Sequence, residues 1–154
     1  MPTVFQRRVP YTLVKERGAV VLPGAPAPAA LAAPTSPRLF VSDPVTLFDR
    51  VAITDVLTHR PVLLLPIGEA RMFAGWVLEI DNQLDQSLTA DLIGSILNDP
   101  ANAGDVGISS TIGANTFQPI INDTWVPFLG IRLTAAVAPT SGFVTVRGVV
   151  QQQE

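Results

Sequence analysis

Cysteine is absent from this 154-residue chain, so no disulfide staples the fold and no thiolate serves as nucleophile or soft metal ligand. Histidine occurs once, at His59, and one imidazole without a thiol assembles neither a zinc ligand set nor a nucleophile–base pair. Lysine is nearly missing: Lys15 stands against nine arginines, a bias that a GC-rich genome produces and that heat adaptation shows in some families, although the broad hyperthermophile signal is more Lys and Glu. Neither a Gly-x-Ser-x-Gly elbow nor a Walker loop occurs. The densest apolar stretch, Pro61 to Ile67, falls far short of the roughly 20 residues that span a bilayer. The start, Met-Pro-Thr-Val-Phe-Gln-Arg-Arg, has no long apolar h-region. The expectation is a soluble, non-secreted protein that is not an enzyme, holds no cofactor or metal and has no membrane partner.

Proline, by contrast, is plentiful and unevenly spread. Eight of the fourteen prolines lie in residues 1–44, and charge divides along almost the same line. Residues 1–42 carry Arg7, Arg8, Lys15, Arg17 and Arg38 against Glu16 alone, a net of +4, whereas the remainder has five arginines against twelve acids, a net of −7. A basic front on an acidic body suits an arm that lies on another surface, and attraction between the arm and a neighbouring body would use the same charges.

Residues 1–37 read as an extended arm and linker. Prolines interrupt any helix, and Pro23-Gly-Ala-Pro-Ala-Pro-Ala-Ala-Leu-Ala-Ala-Pro34 is polyproline-like. Yet Val4, Phe5, Val9, Tyr11, Leu13, Val14, Val20, Val21 and Leu22 are too apolar for a solvated tail. Two readings stay open: a strand packed on its own domain, or an arm docked on a neighbouring subunit. Arg7-Arg8 beside Phe5 and Tyr11 could also contact nucleic acid, but a pI near 5.0 denies the chain the broad basic face a duplex needs. A protein partner fits better.

Residues 38–154 read as an antiparallel all-β domain, a β-sandwich or jelly roll. Leu39–Val41, Val45–Phe48, Val51–Leu57 and Val62–Ile67 are β-branched or Leu-rich runs broken by Asp43-Pro44, His59-Arg-Pro61 and Pro66-Ile-Gly68. A short helix around Pro44–Arg50 is an alternative there. Phe73–Asp81 predicts a strand with Trp76, Leu78 and Ile80 inward and Val77, Glu79 and Asp81 outward. Leu88–Leu97 fits either period, and a strand to Ile93 is favoured over a helix capped by Ser87. Further strands are expected at Val106–Ile112 and Thr116–Ile121. The last third predicts a terminal hairpin: Trp125, Leu129, Ile131, Leu133, Ala135 and Val137 share one face, a turn follows at Ala138-Pro-Thr-Ser-Gly142, and Val144, Val146 and Val150 return.

Each candidate for chemistry has a simpler explanation. Glu79 and Asp81, two apart on one strand, form the carboxylate pair a glycosidase would need, but strand neighbours on a solvated face do the same. Asp99-x-x-Asn102-x-Gly104-Asp105 supplies oxygen ligands without the alternate spacing or the distal Glu of a calcium loop. Trp76 and Trp125 could stack on a sugar, yet both fall in phase with core positions. His59 is expected in a surface turn.

Two motifs carry a resemblance. Gly75-Trp-Val-Leu-Glu-Ile-Asp-Asn-Gln-Leu-Asp-Gln86, running on to Gly94, and Trp125-Val-Pro-Phe-Leu with Ala138-Pro-Thr-Ser-Gly-Phe-Val-Thr-Val146 resemble small structural proteins of tailed-bacteriophage virions. With its Pro-rich arm the chain is similar in plan to head decoration, or cement, proteins of thermophilic siphophages. The resemblance covers about half the chain, and its motifs are turn chemistry. It implies a homotrimer on the outer surface of the capsid, assembled in the host cytoplasm, that stabilises the expanded head by binding across major capsid protein subunits. Phe5, Tyr11 and Leu13 would then serve as apolar anchors and Arg7 and Arg8 as partners for acids. A tail, neck or adsorption protein, a carbohydrate-binding jelly roll, and more distantly a small hydrolase using Glu79 and Asp81 are the alternatives.

Overall fold

Alternating apolar and polar residues become strands along nearly the whole body. The computed structural model describes residues 38–153; the arm expected over residues 1–37, with its candidate contacts Phe5, Arg7, Arg8, Tyr11 and Leu13, falls outside the described residues. The strands are β1 (Leu39–Val41), β2 (Val45–Val51), β3 (Thr58–His59), β4 (Leu65–Pro66), β5 (Phe73–Asn82), β6 (Leu88–Ser95), β7 (Gly104–Ile112), β8 (Thr116–Asn122), β9 (Phe128–Ala135) and β10 (Val144–Gln153), with one 3-10 turn at Ala70–Met72. Among the described residues no helix is long and apolar enough to cross a membrane.

All pairings are antiparallel. In the first sheet β1 and β2 both border β10, which is followed by β5 and β8; in the second, β3 and β4 both border β9, followed by β6 and β7. If β1/β2 and β3/β4 count as two interrupted strands, eight strands form two four-stranded sheets. Most connections cross from one sheet to the other, and this is the winding of a jelly roll.

The expected terminal hairpin does not form. β9 pairs with β6 and β10 with β5, in different sheets. Each strand has one apolar face, and crossing between sheets turns those faces toward each other, so that Leu129, Ile131 and Leu133 share one core cluster with Val144, Val146 and Val150. The eight residues from 136 to 143 are also a long connection for a hairpin, whose commonest loops have about two. The strand run read at Val45–Phe48 forms as β2, and the helical alternative at Pro44–Arg50 does not. In β2 the consecutive Leu47 and Phe48 are both buried, which a regular strand forbids, but irregular register opposite Val146 supplies the bulge that permits it.

β5 and β6 match their expected patterns: Trp76, Leu78 and Ile80 on β5 and Leu88, Ala90 and Leu92 on β6 face the core. On β10 the inward series pauses at Gly148, where a Cβ would lie 2.7 Å from Leu78 Cδ2 and 2.8 Å from Leu65 Cδ2. The missing side chain makes room for Leu65 from the opposite sheet. At the edge, β8 carries Pro119, which has no N–H to offer an incoming strand, and Gln118 Nε2 donates to Ser110 Oγ of β7 at 2.9 Å, tying the two sheets together at their open margin.

The two motifs singled out in the sequence meet at one end of the sandwich. Asn82, the one buried polar side chain among the described residues, donates through Nδ2 to the carbonyls of Gln86 at 3.0 Å, Gly113 at 2.8 Å and Ile112 at 3.4 Å, and its Oδ1 accepts from Leu84 N at 3.1 Å. The Asp85 carboxylate accepts from the Thr140 hydroxyl and, at 3.0 Å, from Thr140 N. Gln83 N donates to Phe143 O at 2.9 Å and Asp85 N to Ser141 O at 3.3 Å. Gly142 has φ +95°, and a Cβ there would lie 2.0 Å from Gln83 O. The β5–β6 turn and the β9–β10 connection are thus one joint, built from side-chain amide, carboxylate and bare backbone.

Candidate protein-binding face

The outer face of the first sheet follows from strand register. Residues paired across strands share a face, so Val149, Val77 and Ile121 form one outward row, Thr46, Arg147, Glu79 and Pro119 the next, and Thr145, Asp81 and Phe117 the third. Val41 lies beside Gln151 on the same side. One half of the face is therefore apolar and the other charged. Ile121 is 69% and Phe117 59% exposed.

Arg50 borders the charged half. It sits in the left-handed region at φ 49°, where its N–H donates to Thr145 Oγ1 at 3.3 Å and its guanidinium stacks 3.7 Å from the Phe143 ring centroid. That contact holds a strained residue in place through a cation–π interaction. Two adjoining depressions follow, one of about 390 Å³ over Thr46, Val77, Glu79, Arg147 and Val149, the other of about 300 Å³ over Asp49, Arg50, Glu79, Asp81, Phe117 and Arg147. Both are half-open to solvent and share Glu79 and Arg147.

The outer face of the second sheet differs. There Arg132 bridges Asp91 at 3.3 Å and Asp105 at 2.5 Å, stitching β9, β6 and β7. On the first sheet Glu79, Asp81 and Arg147 form no ion pair with any described residue; Asp81 Oδ1 accepts from Gln83 Nε2 at 2.5 Å. Glu79 and Arg147, opposite each other across β5 and β10, are exposed, and Asp81 is half-buried.

Other candidates occupy structural positions. Trp76 is buried, its Nε1 donating to Thr124 O at 3.0 Å. Trp125 departs from the expectation of a core residue: it precedes β9, is 40% exposed, and donates to Gly68 O at 3.3 Å. Val137, expected on the same inward face, lies beyond β9 and is exposed as well. His59 is not in a turn but in β3, half-buried, with Nε2 2.9 Å from Asp55 Oδ1. That hydrogen bond, with another from Leu57 N–H, holds the Asp55 carboxyl below its ordinary range. Asp99 accepts from the Asn102 side chain at 2.7 Å and from Ala101 N at 3.1 Å. The Asn102 bond is the main cause of its lowered pKa, so the loop read as a weak calcium candidate organises itself. Among the described residues no group of three or more His, Asp or Glu side chains is placed to hold a metal ion.

A second apolar surface lies where the β3–β4 segment meets the β6–β7 loop. Arg60 Nη1 donates to Pro100 O at 2.7 Å and Ala103 O at 3.1 Å, and Leu64 N donates to Asn98 Oδ1 at 2.8 Å. These bonds bring together segments that carry exposed Val62, 92% accessible, and Ile96, 79% accessible.

No protein-family model matches the chain. No curated protein matches it. Among solved structures it is similar to the coat protein of Tobacco streak virus, at 14% identity and a TM-score of 0.44 over 81% of this chain and 91% of that one. It is also similar to a chain of the cyanophage Pam1 capsid, at 18% identity and 0.34 over 86% and 99%, and to one of infectious bursal disease virus Gx strain, at 14% and 0.34 over 84% and 46%. The jelly-roll assignment rests on strand order and register.

The sequence exposed Glu79 and Asp81 but not the surface around them. Phe117, Pro119 and Ile121 alternate with Gln118 and Ile120, and that alternation alone does not say which side of β8 is buried. The register with β5 turns Phe117, Pro119 and Ile121 outward, and the proline, which fits only an edge, was the available signal.

Proposed function

We propose that this chain is a virion structural protein, a capsid decoration protein that stabilises an expanded phage head by binding across major capsid protein subunits. It acts by adhesion and without catalysis, from the outer surface of the capsid and as a homotrimer. The carrying observation is a jelly-roll body on which large apolar side chains stand exposed in two separate places. Such patches favour protein contact over small-molecule binding. The Val62–Ile96 surface suits a seat on the shell, and the arm, with Phe5, Tyr11 and Leu13 as apolar anchors and Arg7 and Arg8 as partners for acids, clasps a neighbouring subunit. A trimer then holds the shell at several points, which multiplies weak contacts.

The test is cosedimentation of the purified protein with empty expanded heads. Saturation at a fixed number per capsid face supports the reading, and removal of residues 2–34 should weaken attachment by about 2–5 kcal/mol, tens to thousands of times in affinity, for two buried aromatic anchors. Absence of saturable binding to heads overturns it. One observation favours a second reading: the exposed ring of Trp125 is where a carbohydrate-binding jelly roll would place a stacking platform. Loss of glycan binding in Trp125→Ala, with heads ignored by the wild-type protein, would select it.

A further inference from the structure

We propose that the free edge of β7 pairs antiparallel with the same edge of a second copy of this chain, joining the second sheets of the two copies into one continuous sheet. A sheet edge is a row of unpaired N–H and C=O groups, and proteins blunt it with prolines, charges, bulges or short strands. Three of the four edges here are blunted in those ways. β8 carries Pro119, β3 and β4 have two residues each, and β1 and β2 are separate pieces, the second bearing Asp49 and Arg50 and pairing with β10 in irregular register. β7 is nine residues long, and from Val106 to Ile112 it has neither a charged residue nor a proline. No described strand borders its outer side.

A register shift opposite Asp91–Ile93 and the positive φ of 79° at Gly107 bend the first half of β7, which confines regular pairing to Ile108–Ile112. That segment, Ile-Ser-Ser-Thr-Ile, reads almost alike in both directions, and antiparallel pairing with its own copy is what such a sequence matches. A two-fold axis at Ser110 sets Ile108 opposite the partner's Ile112 and Ser109 opposite the partner's Thr111. Ile108 and Ile112 lie on the inner side, where both already pack on the core, while Ser109 and Thr111 are exposed on the outer side. Apolar side chains would meet inside and hydroxyls outside, the cross-strand matching that stabilises antiparallel pairs. Five paired residues from each copy fall well short of the roughly 1,000 Å² of a stable interface, so the contact is a weak link, effective where many copies are held side by side. It needs neither the arm nor a head, and a two-fold link would join one proposed trimer to the next without building the trimer itself.

Full-length protein without heads provides the test, so a failure here is separate from a failure to bind heads. Outward-facing backbone amides within Ile108–Ile112 should exchange freely at low-micromolar concentration and gain protection toward millimolar concentration, with association in sedimentation velocity over the same range. Ser109→Lys combined with Thr111→Lys sets lysine opposite lysine across the axis and should weaken association at least tenfold. The melting temperature should be retained, because both side chains are exposed. The native lack of cysteine allows the register to be read. Opposed residues have Cα atoms about 4.5–5.5 Å apart, within the reach of a disulfide. A Ser109→Cys chain mixed with a Thr111→Cys chain should therefore link on oxidation, faster than either variant alone. Association indifferent to the two lysines overturns the proposal. So does a mixture that links no better than the single variants. Amides protected equally at every dilution, in the lysine variant as in the wild type, also overturn it, since the edge is then covered within one chain.

Discussion

Replacing Asn82 tests the joint between the two sequence motifs. Its side chain is fully buried and serves four backbone groups, of which the Ile112 carbonyl and the Leu84 N–H have the most deeply buried bonds. Asn82→Ala strands those two groups, at about 1–3 kcal/mol each, and leaves a small cavity, so the expected loss is about 3–5 kcal/mol. For a body of this size that lowers the melting temperature by about 10–20 °C. Asn82→Asp keeps the shape but turns a donor into an oxygen facing three carbonyls, and at neutral pH it should be worse than alanine. The new carboxyl would have a folded-state pKa raised above its unfolded value. The aspartate variant is therefore expected to regain stability relative to wild type as pH falls, and to lose it as pH rises through that folded value. Thermal and urea melts from pH 4 to 8 measure both effects. Wild-type-like stability of both variants, within about 0.5 kcal/mol, would refute the anchoring role of this amide.

Gly142→Ala should cost about 2–5 kcal/mol, from a left-handed backbone and a Cβ driven into the Gln83 carbonyl; a calorimetric melt checks it. The Thr140 hydroxyl and then its N–H hold the Asp85 carboxyl below the usual range. The stability difference between wild type and Asp85→Asn should accordingly be full above about pH 4, near the ordinary Asp value, and vanish as pH falls through the depressed folded value. Glu79→Gln with Asp81→Asn should leave folding within about 0.5 kcal/mol of wild type, as both sit on the outer face; a selective loss of hydrolytic activity in that variant would revive the enzyme alternative.

Strand content and the inward residues of β5 and β6 were legible because each strand has one buried and one exposed side, the condition under which period-two reading works. It fails where that condition lapses. Leu47 and Phe48 are consecutive and both buried through a bulge, so the segment fits a helix as well as a strand; β8 shows large apolar residues outward, so its alternation does not tell which side is buried. Partner choice failed for a different reason. The alternation in β9 and β10 states that each has an apolar side, but two such sides can share a sheet or face each other across a core, and only the length of the intervening connection distinguishes the cases. Trp125 continued the phase of β9 beyond the point where pairing ends. The Asn82 and Gly142 motifs were visible as turns, but their mutual docking joins residues some 60 positions apart, a contact no local pattern announces. Glu79 and Asp81 were legible as an outward pair, whereas Arg147, Phe117 and Ile121 beside them depend on cross-strand register.

Electron microscopy of virions or of reconstituted expanded heads tests the decoration role most directly. The predicted result is density matching this jelly roll on the outer surface of the head, clustered in threes over joints between major capsid protein subunits. Density confined to the tail or neck, or a head surface bare of this protein, would contradict it.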